Sequence, residues 1–313
     1  MSAYEHLPVL PQEIAIFLRP ERGGFFLDGT LGLGGHAEFL LQRAGGVQLL
    51  GIDQDAQALE MARQRLKDYQ DRINFFCCSF KDFDTAMQEL GWEYVDGALV
   101  DLGVSSLHLD SPERGFSFAK KGPLDMRMST DRDLQTAREL VNRTGFEELK
   151  EIILKYGEEP MAARIARAII KAREKSPITD TLELAGIVAG AYPGKRRAQS
   201  RNHPATKTFQ ALRIAVNREL EELEIFLEKI VPCLRSGARL AVISFHSLED
   251  RMVKWFFRRE AKDCICPPEE VICKCGHERT LNILTKKPLQ AGKEERDENP
   301  RSRSAKLRVA EKI

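Results

Sequence analysis

The sequence predicts an α/β fold, one open parallel sheet with helices on both faces, carrying an inserted all-helical domain. Three observations predict it. Short apolar runs alternate with amphipathic segments over the first hundred residues, the rhythm of strand–helix–strand units in a parallel sheet. From about His108 to Pro204 the sequence offers helices and loops without a convincing strand. A long amphipathic stretch and a further apolar run, ARLAVISFH, then follow. The expected boundaries are 1–107 with 206–313 for a discontinuous sheet domain and 108–205 for the helical insertion, a size at which an insert can form a domain of its own.

Taken in order, FFLDG is the first strand, followed by a glycine turn and a helix from about Gly35 to Arg43. VQLLGID, a helix from Asp55 to Leu66, INFFCCSF, a short helix and YVDGALVDLG complete the first half of the sheet. Cys77 and Cys78 fall inside the third apolar run and read as small buried residues. In the insertion, TGFEELKEIIL opens with Thr144 and Glu147 at capping-box spacing, and MAARIARAIIKARE and TDTLELAGIVAGAY continue in helical period. KTFQALRIAVNRELEELEIFLEKIV places Phe209, Leu212, Val216, Leu220, Leu223, Leu227 and Ile230 on one face, which predicts a single long helix covering the sheet.

Composition narrows the function classes. With 313 residues, 42% hydrophobic and 30% charged, the chain has material for a sizeable core. The N-terminal MSAYEHLPVLPQ lacks the pattern of a secretory leader, and no apolar run is long enough to cross a bilayer; a cytoplasmic location is the expectation. The net charge of +1 hides two basic blocks without acids, KRRAQSRNHPATK from Lys195 to Lys207 and NPRSRSAKLR from Asn299 to Arg308.

The turn LDGTLGLGGHA carries the first chemical argument. Gly32, Gly34 and Ala37 fit G-x-G-x-x-A and Asp53 lies further on, so a dinucleotide-dependent oxidoreductase is one reading. Asp28 favours another. A pyrophosphate wants backbone N–H groups and a helix N-terminus, and a carboxylate at the strand end would repel it. S-adenosylmethionine carries a cationic sulfonium and an α-amino group, which that carboxylate favours. Asp53, ending the second strand, can accept from ribose hydroxyls in either case. Asp101 ends the fourth strand in ALVDLGVSS, beside the place expected for the transferable methyl; a turn cap is its alternative role.

HLPVL, DGTLGLGGHAEFLL, GIDQD, DLGVSS, GPLDMRM, NHPATKTFQALRIAVNREL, ISFHSLEDR and NPRSRSAKLR, in that order, resemble the bacterial small-subunit (16S) ribosomal RNA cytosine-N4 methyltransferase family of the MraW or RsmH type. The resemblance covers nearly the whole chain. It implies a Rossmann-like S-adenosylmethionine-dependent methyltransferase sheet, and methyl transfer to the exocyclic amine of one cytidine in the decoding region. Carried over residue by residue, it implies a cofactor site of Gly34, Gly35, His36, Asp53, Phe80, Asp101 and His108, beside the Asp28 and Gly32 of the turn argument. Phe80 would lie near the adenine, and His108 rests on the resemblance alone, a surface loop being its other reading.

Cytosine N4 is a poor nucleophile, so catalysis should be mainly positioning. A carboxylate accepting from the amino group would orient it and favour the positive charge developing there; Asp101 is the candidate. Methylation at carbon C5 requires a cysteine nucleophile, and the fourth-strand loop offers Val104, Ser105 and Ser106 instead. Chemistry alone leaves another RNA amino group open. The target base must be unpaired or flipped, and Tyr192, His203, Phe209, Phe245 and His246 are candidate neighbours. Lys195, Arg196, Arg197 and Arg201, with Lys120, Lys121, Arg127, Arg301, Arg303 and Arg308, are candidate phosphate contacts, making the insertion the expected RNA-recognition domain. The expected partner is small-subunit ribosomal RNA or the assembling subunit, no membrane is expected, and a homodimer is left open. Cys264, Cys266, Cys273 and Cys275 form two C-x-C pairs that could hold zinc, with free thiols as the alternative. The rival classes are a dinucleotide oxidoreductase and a catalytically silent RNA-binding scaffold.

Overall fold

In the computed structural model, residues 7–129, 134–194, 203–270 and 272–313 are described. The chain forms two units, Met1–Gly103 with Leu220–Ile313, and Val104–Glu219. The first unit begins with α1 (Pro11–Leu18), β1 (Gly24–Asp28), α2 (Gly35–Arg43), β2 (Val47–Asp53), α3 (Ala56–Arg65), β3 (Ile73–Cys77), α4 (Phe83–Glu89) and β4 (Val95–Asp101). The second holds α5 (Ser106–Asp110), α6 (Ala137–Arg143), α7 (Phe146–Gly157), α8 (Ala162–Arg173), α9 (Thr181–Ala191) and α10 (Thr206–Asn217). The chain then runs through α11 (Glu219–Cys233), β5 (Leu234–Ser244), α12 (Ser247–Glu260), β6 (Leu281–Ile283), α13 (Lys293–Glu298) and β7 (Lys306–Lys312).

The seven strands lie in the order β3-β2-β1-β4-β5-β7-β6. The first five are parallel, and β7 runs antiparallel to both β5 and β6. Strand order reverses between β1 and β4, so the carboxyl ends of these two strands border the switch-point crevice where open α/β sheets receive ligands. Asp28 and Asp101 are their last residues. Alternation along the strands feeds two cores. Leu50, Ile52, Ala98, Val100, Leu240 and Val242 belong to one, and Leu49, Leu99, Ala241, Ile243, Leu307 and Val309 to the other. Burial on both faces explains the near-continuous apolar runs of the sequence.

The expected single helix after Lys207 is two. Arg218 adopts a left-handed conformation (φ 52°) and its N–H closes α10 on Ile214 O. Phe209, Leu212 and Val216 therefore enter the helical unit's core, while Leu223, Leu227 and Ile230 enter the sheet's. With that break the units meet at Gly103/Val104 and Glu219/Leu220, not at 107/108 and 205/206.

Other local expectations also change. Cys77 is exposed and Cys78 half-buried, because β3 is an edge strand and Cys77 its last residue. Helix α7 is capped by Gly145, not Thr144; the capping box belongs to α6, with Thr136 and Glu139. The basic tail ends in a strand, β7, inserted between β5 and β6.

Within the helical unit, GPLDMRM is a pinned loop. Met126 has φ 62°, a strained value for a residue with a side chain. Asn217 at the end of α10 holds it in place: its Nδ2 donates to Met126 O at 2.7 Å and its Oδ1 accepts from Met128 N at 2.8 Å. Met126 N donates to Arg114 O at 3.0 Å.

Candidate active site

Each of the strand tips β1, β2 and β4 carries an aspartate, and the glycine turn winds between them. The turn is bound to the sheet by its backbone: Gly29 N donates to Leu99 O at 2.9 Å and Leu31 N to Ile52 O at 2.8 Å. Asp53 supplies a side-chain clamp, Oδ2 accepting from Gly32 N at 2.7 Å and Oδ1 from Asp55 N at 2.9 Å. Gly32 (φ 53°) and Gly34 (φ 79°) are left-handed, where a β-carbon is costly. At Gly34 that atom would also lie 2.9 Å from Leu66 Cδ1, whereas at Gly32 no atom is nearer than 4.0 Å. Gly34 is thus fixed by packing, and Gly32 leaves room above the turn.

Asp28 is 1% exposed. Its Oδ1 accepts from Thr30 N at 3.2 Å, and Oδ2 has no hydrogen-bond partner. Burial pushes its carboxyl up to about 7; His36 and the Thr30 N–H oppose the rise, and Asp101 and Asp53 add to it. His36, in the first turn of α2, is 7% exposed and neither ring nitrogen makes a hydrogen bond. Its Nε2 lies 3.6 Å from Asp101 Oδ2. Asp101 Oδ1 is likewise buried without a partner. Buried polar atoms are ordinarily satisfied, so four orphans on three neighbouring side chains mark a place for a ligand rich in donors and positive charge.

Phe80 follows β3, half-buried and edge-on to Phe226 with ring centres 5.4 Å apart. A network behind it fixes the turn: Ser79 Oγ donates to Glu222 Oε2 at 2.7 Å and Lys81 Nζ to Oε1 at 3.2 Å. The first unit therefore brings together Asp28, Gly32, Gly34, Gly35, His36, Asp53 and Asp101 around the glycine turn, with Phe80 after the adjacent strand. His108 belongs to the other unit. It is buried there in a capping box, Nδ1 accepting from Ser105 N at 3.2 Å, with its ring 4.8 Å from that of Phe116; it is not a surface loop residue.

Sequence reasoning missed Thr30, whose Oγ1 accepts from Asp101 N at 2.6 Å and ties the tip of β1 to that of β4. Its position two after Asp28, in DGT, was the available signal. The candidate base neighbours mostly have structural tasks. Phe209 is core, His203 Nδ1 accepts from Ala205 N, and His246 caps α12 with Glu249. Tyr192 is half-buried against the helical core and Phe245 against the second sheet core.

Among the phosphate candidates, Lys195, Arg196, Arg197 and Arg201 lie outside the described residues. Arg303 is exposed and Arg301 half-buried. Arg308 departs from expectation: it is 7% exposed and its Nε donates to Asp250 Oδ1 at 2.7 Å, with Lys306 on Oδ2 at 3.3 Å. Arg127 is engaged by Asp125 at 2.7 and 2.9 Å, and Lys121 reaches Asp180 at 3.5 Å. Among the described residues no helix is long and apolar enough to cross a membrane.

A family model described as the MraW methylase family matches residues 3–313. The ribosomal RNA small subunit methyltransferase H of Maridesulfovibrio salexigens is 55% identical over 308 residues, covering 98% of this chain and 95% of that protein. The protein of the same name from Oleidesulfovibrio alaskensis is 55% identical over 309 residues, with the same coverage. That from Lawsonia intracellularis is 52% identical over 309 residues, covering 98% of this chain and 99% of the relative.

Proposed function

The chain belongs to the MraW methylase family, and from that premise we infer that it is an S-adenosylmethionine-dependent methyltransferase acting on the N4 amine of a cytidine in small-subunit (16S) ribosomal RNA. The observation that carries the reading is the set of unpartnered buried atoms on Asp28, His36 and Asp101 at the switch point. A dinucleotide would bring a pyrophosphate to this turn, against three aspartates. S-adenosylmethionine instead supplies an electrophilic methyl group on a cationic sulfonium, together with an amino group that can donate to carboxylates.

Asp28 and the N–H groups of the turn would hold the amino-acid end, Asp53 the ribose, and Phe80 the adenine. Asp101 accepts a hydrogen bond from the cytosine amine and orients it toward the methyl group, and its charge favours the positive charge that develops on nitrogen. Thr30 keeps that carboxylate in place through the Asp101 N–H. Positioning of this kind is worth roughly 7 to 11 kcal/mol when the geometry is ideal. Asp101 is therefore assigned a catalytic role. The helical unit is assigned to RNA recognition, with the basic segment around Lys195 to Arg201 as phosphate contacts and the exposed Arg303 of the sheet unit as another; the cytoplasm, where ribosomes assemble, is the corresponding location.

The test pairs calorimetric titration with S-adenosylmethionine and NAD, at matched salt, with nucleoside mass spectrometry of small-subunit RNA after incubation. The expected result is saturable binding of S-adenosylmethionine alone and the appearance of N4-methylcytidine. Binding of NAD alone, or methylation confined to adenosine or to a ring carbon, would overturn the reading.

A further inference from the structure

We propose that Cys264, Cys266, Cys273 and Cys275 form a structural zinc site remote from the methyl-transfer chemistry. The chain between α12 and β6 is closed at its base, where Thr280 N donates to Glu260 O at 2.9 Å and Thr280 Oγ1 to Glu260 Oε2 at 2.7 Å. Beyond that clamp the described residues are nearly all exposed, Ile265 and Ile272 included. A segment so poor in buried apolar surface cannot hold a fixed shape by burial, and small excursions of this kind are ordinarily held by a metal or a disulfide.

The four sulfur atoms nevertheless converge, all within 4.8 Å of one another. Three of the separations are 3.5 Å (Cys264–Cys273), 3.8 Å (Cys264–Cys275) and 3.6 Å (Cys273–Cys275). Tetrahedral coordination with zinc–sulfur bonds of about 2.3 Å puts neighbouring sulfurs about 3.8 Å apart, whereas a disulfide would bring a pair to about 2.0 Å.

The backbone gives a second, independent indication. The middle residue of each C-x-C pair donates its N–H to the second cysteine of the other pair: Ile265 N to Cys275 Sγ at 3.5 Å, and Lys274 N to Cys266 Sγ at 3.3 Å. Cys266 N also donates to Cys264 Sγ at 3.4 Å. Amides aimed reciprocally at sulfur stabilise thiolate and orient it, as the outer shell of a metal site does. Four soft sulfur donors in this arrangement select zinc over hard cations. They fill the coordination sphere, leaving no open position for a substrate. Binding of Zn²⁺ by four thiols releases four protons as the thiolates form, without any change of oxidation state. Helix α12 starts beside the carboxyl end of β5 and spans 14 residues before this segment, a length of about 21 Å, so the metal would hold the loop and take no part in catalysis.

The experiment measures metal content of the full chain, purified under reducing conditions without chelator, and re-exposed to zinc against a competing chromogenic chelator. About one zinc per chain is expected, released by a mercurial reagent and absent from the Cys273→Ser/Cys275→Ser variant. That variant should lose hydrogen-exchange protection between Ala261 and Arg279 while binding S-adenosylmethionine as before. Failure to take up stoichiometric zinc, uptake that persists in the variant, disulfides found by alkylation and mass spectrometry, or lost S-adenosylmethionine binding in otherwise folded variant would each overturn the proposal.

Discussion

His36 Nε2 lies 3.6 Å from Asp101 Oδ2, one residue at the start of α2 and the other at the tip of β4, facing each other across the switch point. The separation is too long for a direct hydrogen bond, and both His36 nitrogens and Asp101 Oδ1 are left without partners. Under the proposed function, a third group completes the pair. Asp101→Asn should therefore lower single-turnover methyl transfer by roughly 10² to 10³-fold, measured at saturating S-adenosylmethionine so that any loss of cofactor affinity is separated from the chemical step. Full turnover in that variant, with undisturbed cofactor binding, would remove Asp101 from the reaction.

Asp28 links the site to pH. Its carboxyl is raised from 3.8 to about 7 by burial, so between those values the folded protein binds more protons than the unfolded chain. Stability of the ligand-free protein should fall by about 1.4 kcal/mol per pH unit across that window from this group, and level off above it. Urea unfolding of wild type and Asp28→Asn over the window should show the slope reduced by that amount in the variant. A cationic ligand favours the ionised carboxylate, so S-adenosylmethionine binding below about pH 7 should release a proton. Calorimetry in buffers of different ionisation enthalpy reads that proton directly.

Arg308 and Arg303 should separate stability from RNA binding. Arg308→Met leaves the Asp250 carboxylate, 15% exposed, with only Lys306, at a cost of about 3 kcal/mol in thermal or urea unfolding. RNA affinity of the folded variant should be unchanged. Arg303→Glu should have the opposite profile, with stability within about 0.5 kcal/mol of wild type and weaker RNA binding of reduced salt dependence in filter-binding titrations.

Asn217→Ala should destabilise the helical unit by about 2 kcal/mol, since it leaves Met126 O and Met128 N without their side-chain partner. Hydrogen exchange at Met128 should accelerate. An unchanged rate there would mean that Asn217 is not what holds the strained Met126 backbone.

The parallel half of the sheet was legible because each strand is a self-contained apolar run and each tip carries its own chemistry. VQLLGID is β2 to the residue, and Asp28, Asp53 and Asp101 end β1, β2 and β4 as expected. What escaped depends on distant partners or uncommon backbone. Strand β7 reads as a basic tail because of Lys306 and Arg308, yet both are engaged by Asp250, 56 and 58 residues away. The break at Arg218 lacks a glycine or proline to announce it. His108 looks available in sequence because nothing there reveals Phe116 against its ring.

The sheet's central pairing has a kinetic consequence. Strand β4 lies beside β5 in a register that sets Asp101 against Ile243, with the whole helical unit between them in sequence. Closing so long a loop adds only a logarithmic entropy term, so the insertion costs little stability. It delays the central contact instead, because non-local parallel pairing is slow to form. Completion of the sheet around Asp101 therefore waits on a segment that lies beyond the helical unit in sequence.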